Sequence, residues 1–181
     1  NIADPRTFKK DSKVGQWIDS TVRIEGPAVE ALNITFFSDW CYETDEDLND
    51  YLPKLKSHYE AAPGEAITQL VPSGPGLKTN AIHEILLAAI YAAREEIVIT
   101  TPYFVPTDTF VFALKTASLS GVRVTVVVPE KSDSPLVRIA SHSIFEDLLQ
   151  AGVIIKSFHG GLLHSKTVTV DGTIALVGSV N

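Results

Sequence analysis

Methionine is absent from the 181 residues, and cysteine occurs once, at Cys41. A single thiol excludes an intrachain disulfide and permits a reducing compartment. Long apolar runs are missing as well: the most apolar stretch, Ile85 to Ala93, falls well short of the roughly 18 residues a membrane-spanning helix needs. No signal peptide is visible. Basic charge is scarce, with 15 Lys and Arg against 22 Asp and Glu and a net charge of −7. So acidic a chain argues against a nucleic-acid partner, because phosphate backbones are gripped mainly by clustered Lys and Arg, though it does not exclude a local basic pocket. No Cys/His/Asp spacing suggests a metal site, and no cofactor is expected. An apolar share of 45% is enough for one domain with a sizeable core.

The most informative stretch is the last eighteen residues, His164-Ser-Lys166-Thr-Val-Thr-Val-Asp171-Gly-Thr-Ile-Ala-Leu-Val-Gly178-Ser179-Val-Asn181. Val168 to Val170 and Ile174 to Val177 are β-prone, and Asp171-Gly172 between them signals a two-residue hairpin turn. That turn predicts Val170 opposite Thr173, Val168 opposite Ala175, Lys166 opposite Val177 and His164 opposite Ser179. Alternation then sets His164, Lys166, Ser179 and Asn181 on one face at the open end of the hairpin. Nearer the turn the same face holds Val168, Val170, Ala175 and Val177, which would pack.

The polar set suits a phosphoryl group. Lys166 brings a positive charge, Ser179 and Asn181 bring neutral donors, and His164 can attack phosphorus or shuttle a proton near neutral pH. Asp171, placed in the turn several residues from His164, reads as a structural residue. A lone strand histidine is usually structural too, but this one is not alone. Average residue usage puts these six residue types at these offsets by chance at roughly one position in 10⁸.

His-x-Lys-x₄-Asp-x₆-Gly-Ser-x-Asn resembles the signature of the phospholipase D superfamily. Val14-Gly-Gln-Trp17-Ile-Asp19, Ile24-Glu-Gly-Pro27, Ser73-Gly-Pro75, Thr101-Pro-Tyr103-Phe-Val-Pro106 and Gly160-Gly-Leu-Leu-His164 resemble the bacterial cardiolipin synthases within it. The resemblance implies a metal-free phosphatidyltransferase that joins two phosphatidylglycerol molecules, releases glycerol and passes through a phosphohistidine. Phospholipase D-type hydrolysis of a phospholipid or nucleic acid, or a silent pairing domain, is the alternative. It also implies two motifs around one site. The second histidine and lysine would come from a missing first motif of the same chain, or from a second protomer, with Asn1 as that first motif's last residue.

The signature groups His164, Lys166 and Asp171 as a catalytic set, to which the resemblance adds Asp19. In the family an acidic residue downstream of each motif fixes that motif's histidine. Asp19 would serve the first histidine, and the acid for His164 would lie beyond Asn181. The upstream histidine is commonly the nucleophile, so His164 is implied as the general acid/base. Lys166, Ser179, Asn181, Asn1 and Tyr103 would hold the phosphate. Glycerophospholipids and a membrane surface are the implied partners, at a bacterial cell membrane with the catalytic part facing the cytoplasm and the anchor outside this segment.

Along the chain, residues 1–13 are polar and irregular. Gln16 to Ile24 reads as a strand with Trp17 and Asp19 on one face. Pro27 to Tyr42 reads as a helix whose Val29, Leu32, Phe36 and Trp40 form a core stripe or, alternatively, a lipid-facing one. Residues 44–65 read as a linker or insertion between the end of a first repeat (1–43) and a second repeat (66–181). From Ala66 the pattern is α/β: strands Ile67–Val71, Glu96–Thr101, Val122–Val128 and Val153–Phe158, with helices Asn80–Arg94, Thr107–Ser118 and Ser134–Gln150. Helix Asn80–Arg94 would turn Ile82, Leu86, Ala89 and Ala93 inward. The alternation predicts a mixed, largely parallel sheet flanked by helices on both faces, ending in the catalytic hairpin. Ligands of such sheets sit beyond strand ends, which draws attention to the 101–106 and 159–161 loops. Gly160 and Gly161 would admit a ligand close to the backbone. Tyr103 could donate to a phosphate or hydroxyl, or simply pack on the sheet. His159 is a bystander candidate.

Overall fold

The computed structural model of the chain describes residues 15–55, 64–74, 80–131 and 144–179. The first elements are β1 (Trp17–Ile18), α1 (Ala28–Thr44), α2 (Ala81–Ala92), β2 (Glu96–Thr100) and α3 (Asp108–Leu119). There follow β3 (Arg123–Pro129), β4 (Ile154–Phe158), β5 (Leu162–Leu163), β6 (Thr167–Val170) and β7 (Ile174–Val177). Two compact units emerge: Asn1–Thr21 with Glu84–Asn181, and Val22–His83.

The first unit is a mixed α/β sheet flanked by helices, with strand order β4-β3-β2-β6-β7. β2, β3 and β4 run parallel, while β6 is antiparallel to β2 and β7 to β6. Period-two alternation of branched residues builds its buried face. Ile97 pairs with Val124 and Val170, and Ile99 with Val126 and Val168, and all six side chains are buried. Ile90 of α2, Leu114 of α3 and Leu148 of the helical stretch 144–150 join them in one core cluster. Each such side chain contributes about 1.5–3 kcal/mol relative to exposure.

Local signals set the helix ends. Thr107 caps α3, its Oγ1 accepting from the Phe110 amide at 3.4 Å, as a β-region threonine before a helix can. After 144–150 the chain stops at Gly152, whose φ is +89°, and Val153 N–H returns to the Leu148 carbonyl at 3.0 Å. This is a left-handed glycine stop. The predicted helix Ser134–Gln150 is described only from 144.

The terminal hairpin departs from its predicted register. Asp171 and Gly172 have φ of +51° and +63°, the conformations an Asp-Gly corner favours, and the Thr173 amide closes the turn on the Val170 carbonyl at 3.0 Å. Val170 nevertheless pairs with Ile174, and Val168 with Leu176. Thr173 is thus an extra loop residue, and β7 slips by one. A one-residue slip exchanges the two faces of a strand, so Leu176, rather than Ala175 and Val177, packs against the core.

Two predicted strands shrink or vanish. Gln16 to Ile24 keeps only Trp17–Ile18, because β5 offers just two residues to pair with and the Asp19 side chain takes the Ser20 amide at 2.9 Å, competing with a ladder. Residues 65–73 contain no strand, and Ile67 is fully exposed; β-propensity without a neighbouring strand leaves the backbone unpaired.

The second unit centres on α1, followed by 3₁₀ turns at Leu48–Asp50 and Leu52–Lys54. Its aromatic residues meet one another: Phe36 stacks with Trp40 at 6.4 Å and Phe37 with Tyr51 at 4.6 Å. The stripe expected to be core is not buried, with Phe36 58% and Trp40 46% exposed. No helix of the described residues is long and apolar enough to cross a membrane.

Candidate active site

Because β2, β3 and β4 are parallel, their C-terminal ends share one edge of the sheet, and the antiparallel β6 begins there. The loop after β2 and the segment entering β6 therefore converge where α/β sheets place their ligands. The parallel pair β1–β5 completes the site. Trp17 lies opposite Leu162 and Ile18 opposite Leu163, and the His164 amide donates to the Ile18 carbonyl at 2.7 Å.

Two glycines make that pairing possible. Gly161 has φ +127°, and a Cβ there would lie 2.3 Å from the Gln16 carbonyl oxygen. Gly15 has φ +84°, and its Cβ would lie 3.0 Å from Gly161 Cα. No L side chain fits this crossing. The close approach predicted for a ligand is thus made at Gly161 by the chain's own β1, while a Cβ on Gly160 would run into the Phe158 ring. A hydroxyl pair reinforces the junction, Ser20 Oγ to the buried Ser165 Oγ at 2.9 Å.

The register brings Asp19 to His164, Oδ2 to Nδ1 at 3.3 Å. Lys166 Nζ lies 3.0 Å from Nδ1 and 3.1 Å from Nε2, and donates to the His164 carbonyl at 2.8 Å. A carboxylate only accepts, so Nδ1–H donates to Asp19, and the Lys166 ammonium, nearly equidistant from the two ring nitrogens, lies over the ring rather than on the lone pair of either. Burial lowers the Lys166 pKa, and the Asp19 charge partly offsets this. The imidazole is also packed by rings. Trp17 stacks on it at 4.1 Å and 14°, and Tyr103 meets it edge-on at 6.5 Å and 88°. The Thr101 hydroxyl braces the Tyr103 loop, accepting from the Tyr103 amide and donating to its carbonyl, both at 3.3 Å.

Of the residues singled out in the sequence, His164, Lys166, Asp19 and Tyr103 come together. The acid beside His164 in this structure is Asp19, which the β1–β5 register delivers there. Asp171 stands at the far end of β6, where its carboxylate accepts from the Arg94, Glu95 and Glu96 amides at 2.8 to 2.9 Å. Those bonds lower its pKa and occupy the group structurally, away from the His164 end. Ser179 is exposed. In the shifted register Gly178 N–H meets the Lys166 carbonyl at 3.2 Å, and Ser179 is not among the hydrogen-bond partners of His164 or Lys166. Asn1 and Asn181 lie outside the described residues. His159 pairs with Glu130 at 3.0 Å on the surface. Trp17 and the Ser20–Ser165 pair stand outside the motif's polar set; the spacing Trp17-x-Asp19, which sets two side chains on one face of a strand, is the signal in the sequence that points to Trp17.

A His-Lys pair at the C-terminal edge of a mixed α/β sheet, braced by a distant carboxylate, defines a phospholipase D-like domain. A family model described as "Cardiolipin synthase, PLD-like domain" matches residues 86–181, and the chain belongs to that family. Cardiolipin synthase A of Yersinia pseudotuberculosis serotype O:1b (strain IP 31758) is 48% identical over 182 residues, covering 100% of this chain and 37% of that protein. Its counterpart in Serratia proteamaculans (strain 568) is 47% identical with the same coverage. The chain thus spans about a third of the length of these curated relatives. Among solved structures, Nuc, a phospholipase D family member from Salmonella typhimurium, aligns with a TM-score of 0.47 at 25% identity, covering 55% of this chain and 63% of that one.

Proposed function

We propose that this chain is part of a phosphatidyltransferase that makes cardiolipin from two phosphatidylglycerol molecules. The observation that carries the reading is the Asp19–His164–Lys166 cluster in a chain of the cardiolipin synthase family. In the proposed reaction a second histidine, from the first motif of the same polypeptide or a second protomer, attacks phosphorus. A P–N bond forms as the P–O bond to glycerol breaks. The electron pair of that bond goes to the glycerol oxygen, which takes a proton from His164 Nε2. His164 then accepts the proton of a hydroxyl on a second phosphatidylglycerol. That oxygen attacks phosphorus, and the P–N bond breaks with its electrons returning to the histidine. Lys166, with Ser179, Asn181, Asn1 and Tyr103, would hold the non-bridging oxygens as charge builds. Residues 1–43 would end the first repeat, 44–65 link the two, and 66–181 form the second, acting on glycerophospholipids at a bacterial membrane surface.

The test gives the full-length polypeptide phosphatidylglycerol labelled separately in the phosphatidyl and glycerol parts. Labelled cardiolipin with free glycerol supports transfer. Phosphatidic acid as the sole lipid product overturns it in favour of hydrolysis.

A further inference from the structure

The hydrogen bond from His164 Nδ1 to Asp19 acts at the edge of the imidazole and resists its in-plane rotation. It restrains tilt only weakly. What opposes tilt is a face contact, and Trp17 supplies one, its indole 4.1 Å from the imidazole and 14° from parallel. Trp17 is held in turn by its backbone, through the pairing with Leu162 and the crossing of Gly15 with Gly161. Asp19, two residues on, takes Nδ1. The stretch Trp17–Asp19 thus presents two side chains to one ring, a carboxylate to its edge and an indole to its face. The His164 side chain is only 14% exposed.

We infer that Trp17 is a positioning residue for His164, fixing the plane of the imidazole so that Nε2 points at the oxygen it protonates. The inference rests on the proposed role of His164 as proton donor. A misdirected ring slows proton transfer without weakening substrate binding, so the loss falls on kcat rather than KM. It also depends on the leaving group. Glycerol leaves as a strongly basic alkoxide that needs the proton, whereas p-nitrophenolate leaves without one.

The experiment compares wild type, Trp17→Phe and Trp17→Ala in the full-length polypeptide, using phosphatidylglycerol and phosphatidyl-p-nitrophenol as donors. Trp17→Ala should lower kcat on phosphatidylglycerol by about 10- to 100-fold with KM within about twofold, and should lose several-fold less on the nitrophenyl donor. Trp17→Phe, which keeps a flat face, should recover most of the rate. If Trp17→Ala fails to fold, Trp17→Leu, apolar but without a ring, takes its place. No loss, or equal losses on both donors with no recovery by phenylalanine, overturns the inference. His164→Ala run alongside separates the two ideas: if that variant turns over phosphatidylglycerol normally, the reading of the site has failed and not merely the role of Trp17.

Discussion

The carboxylate of Asp19 meets the imidazole of His164 across 145 positions of sequence, Oδ2 to Nδ1 at 3.3 Å. The contact joins the residue that follows β1 to the strand-entry segment of the His-Lys motif, and it fixes which ring nitrogen faces outward. Asp19→Ala should therefore lower kcat by about 10²–10⁴-fold with a small change in KM. Asp19→Asn should be impaired as well, since its amide can donate to Nδ1 and favour the wrong tautomer. Steady-state kinetics on the full-length polypeptide checks both. Unchanged kcat in either would detach Asp19 from the chemistry.

Lys166 sets function against stability. Its pKa is lowered because the fold desolvates the ammonium, so a proton binds less tightly in the folded than in the unfolded chain. Below the folded pKa this costs stability, and the cost is relieved as pH rises through the folded value toward 10.5. Lys166→Met should leave the melting temperature unchanged or raise it while lowering turnover by about 10²-fold or more. Calorimetry alongside an activity assay tests the pairing, and a melting temperature several degrees lower would contradict it.

Gly161→Ala puts a methyl group where the Gln16 carbonyl lies, at a φ of +127°. The pairing of β1 with β5 should give way, carrying Asp19 and Trp17 off the imidazole. Turnover should then fall nearly as far as in Asp19→Ala although no catalytic side chain is altered. Near wild-type turnover would show that the crossing does not organise the site.

Asp171 ties the hairpin corner to three amides around the start of β2. Its folded pKa lies below the ordinary aspartate value of 3.8, so its stabilisation is complete above that value and lost as pH falls through the folded one. Asp171→Ala should melt several degrees below wild type at neutral pH, and the gap should close in strong acid. A gap independent of pH would contradict the charge-assisted bonds. The decisive comparison for its role is catalytic: any folded fraction of Asp171→Ala should keep most of its kcat, unlike Asp19→Ala.

The elements most legible in the sequence are those whose own residues decide them. β2 and β3 are runs of branched apolar residues flanked by helical periodicity, and Thr107 announces the start of α3. Long-range partners were harder to read. Asp19 could be recognised as an acid of interest, but which histidine it serves depends on a two-residue parallel pairing fixed by glycine contacts, which no local pattern encodes. The hairpin shows the same limit within a few residues. Asp171-Gly172 gave the correct turn conformation, yet Thr173 enters the loop as well, and that one residue moved Leu176 inward and Ser179 out of its predicted place opposite His164. The α1 stripe has helical spacing, yet among the described residues none of its side chains is buried.

The most direct test removes the imidazole. His164→Ala in the full-length polypeptide, assayed for cardiolipin formed from labelled phosphatidylglycerol, should lose activity by about 10³-fold or more while retaining the wild-type melting profile. Cardiolipin formation at the wild-type rate would contradict the assignment of this cluster as the reaction centre.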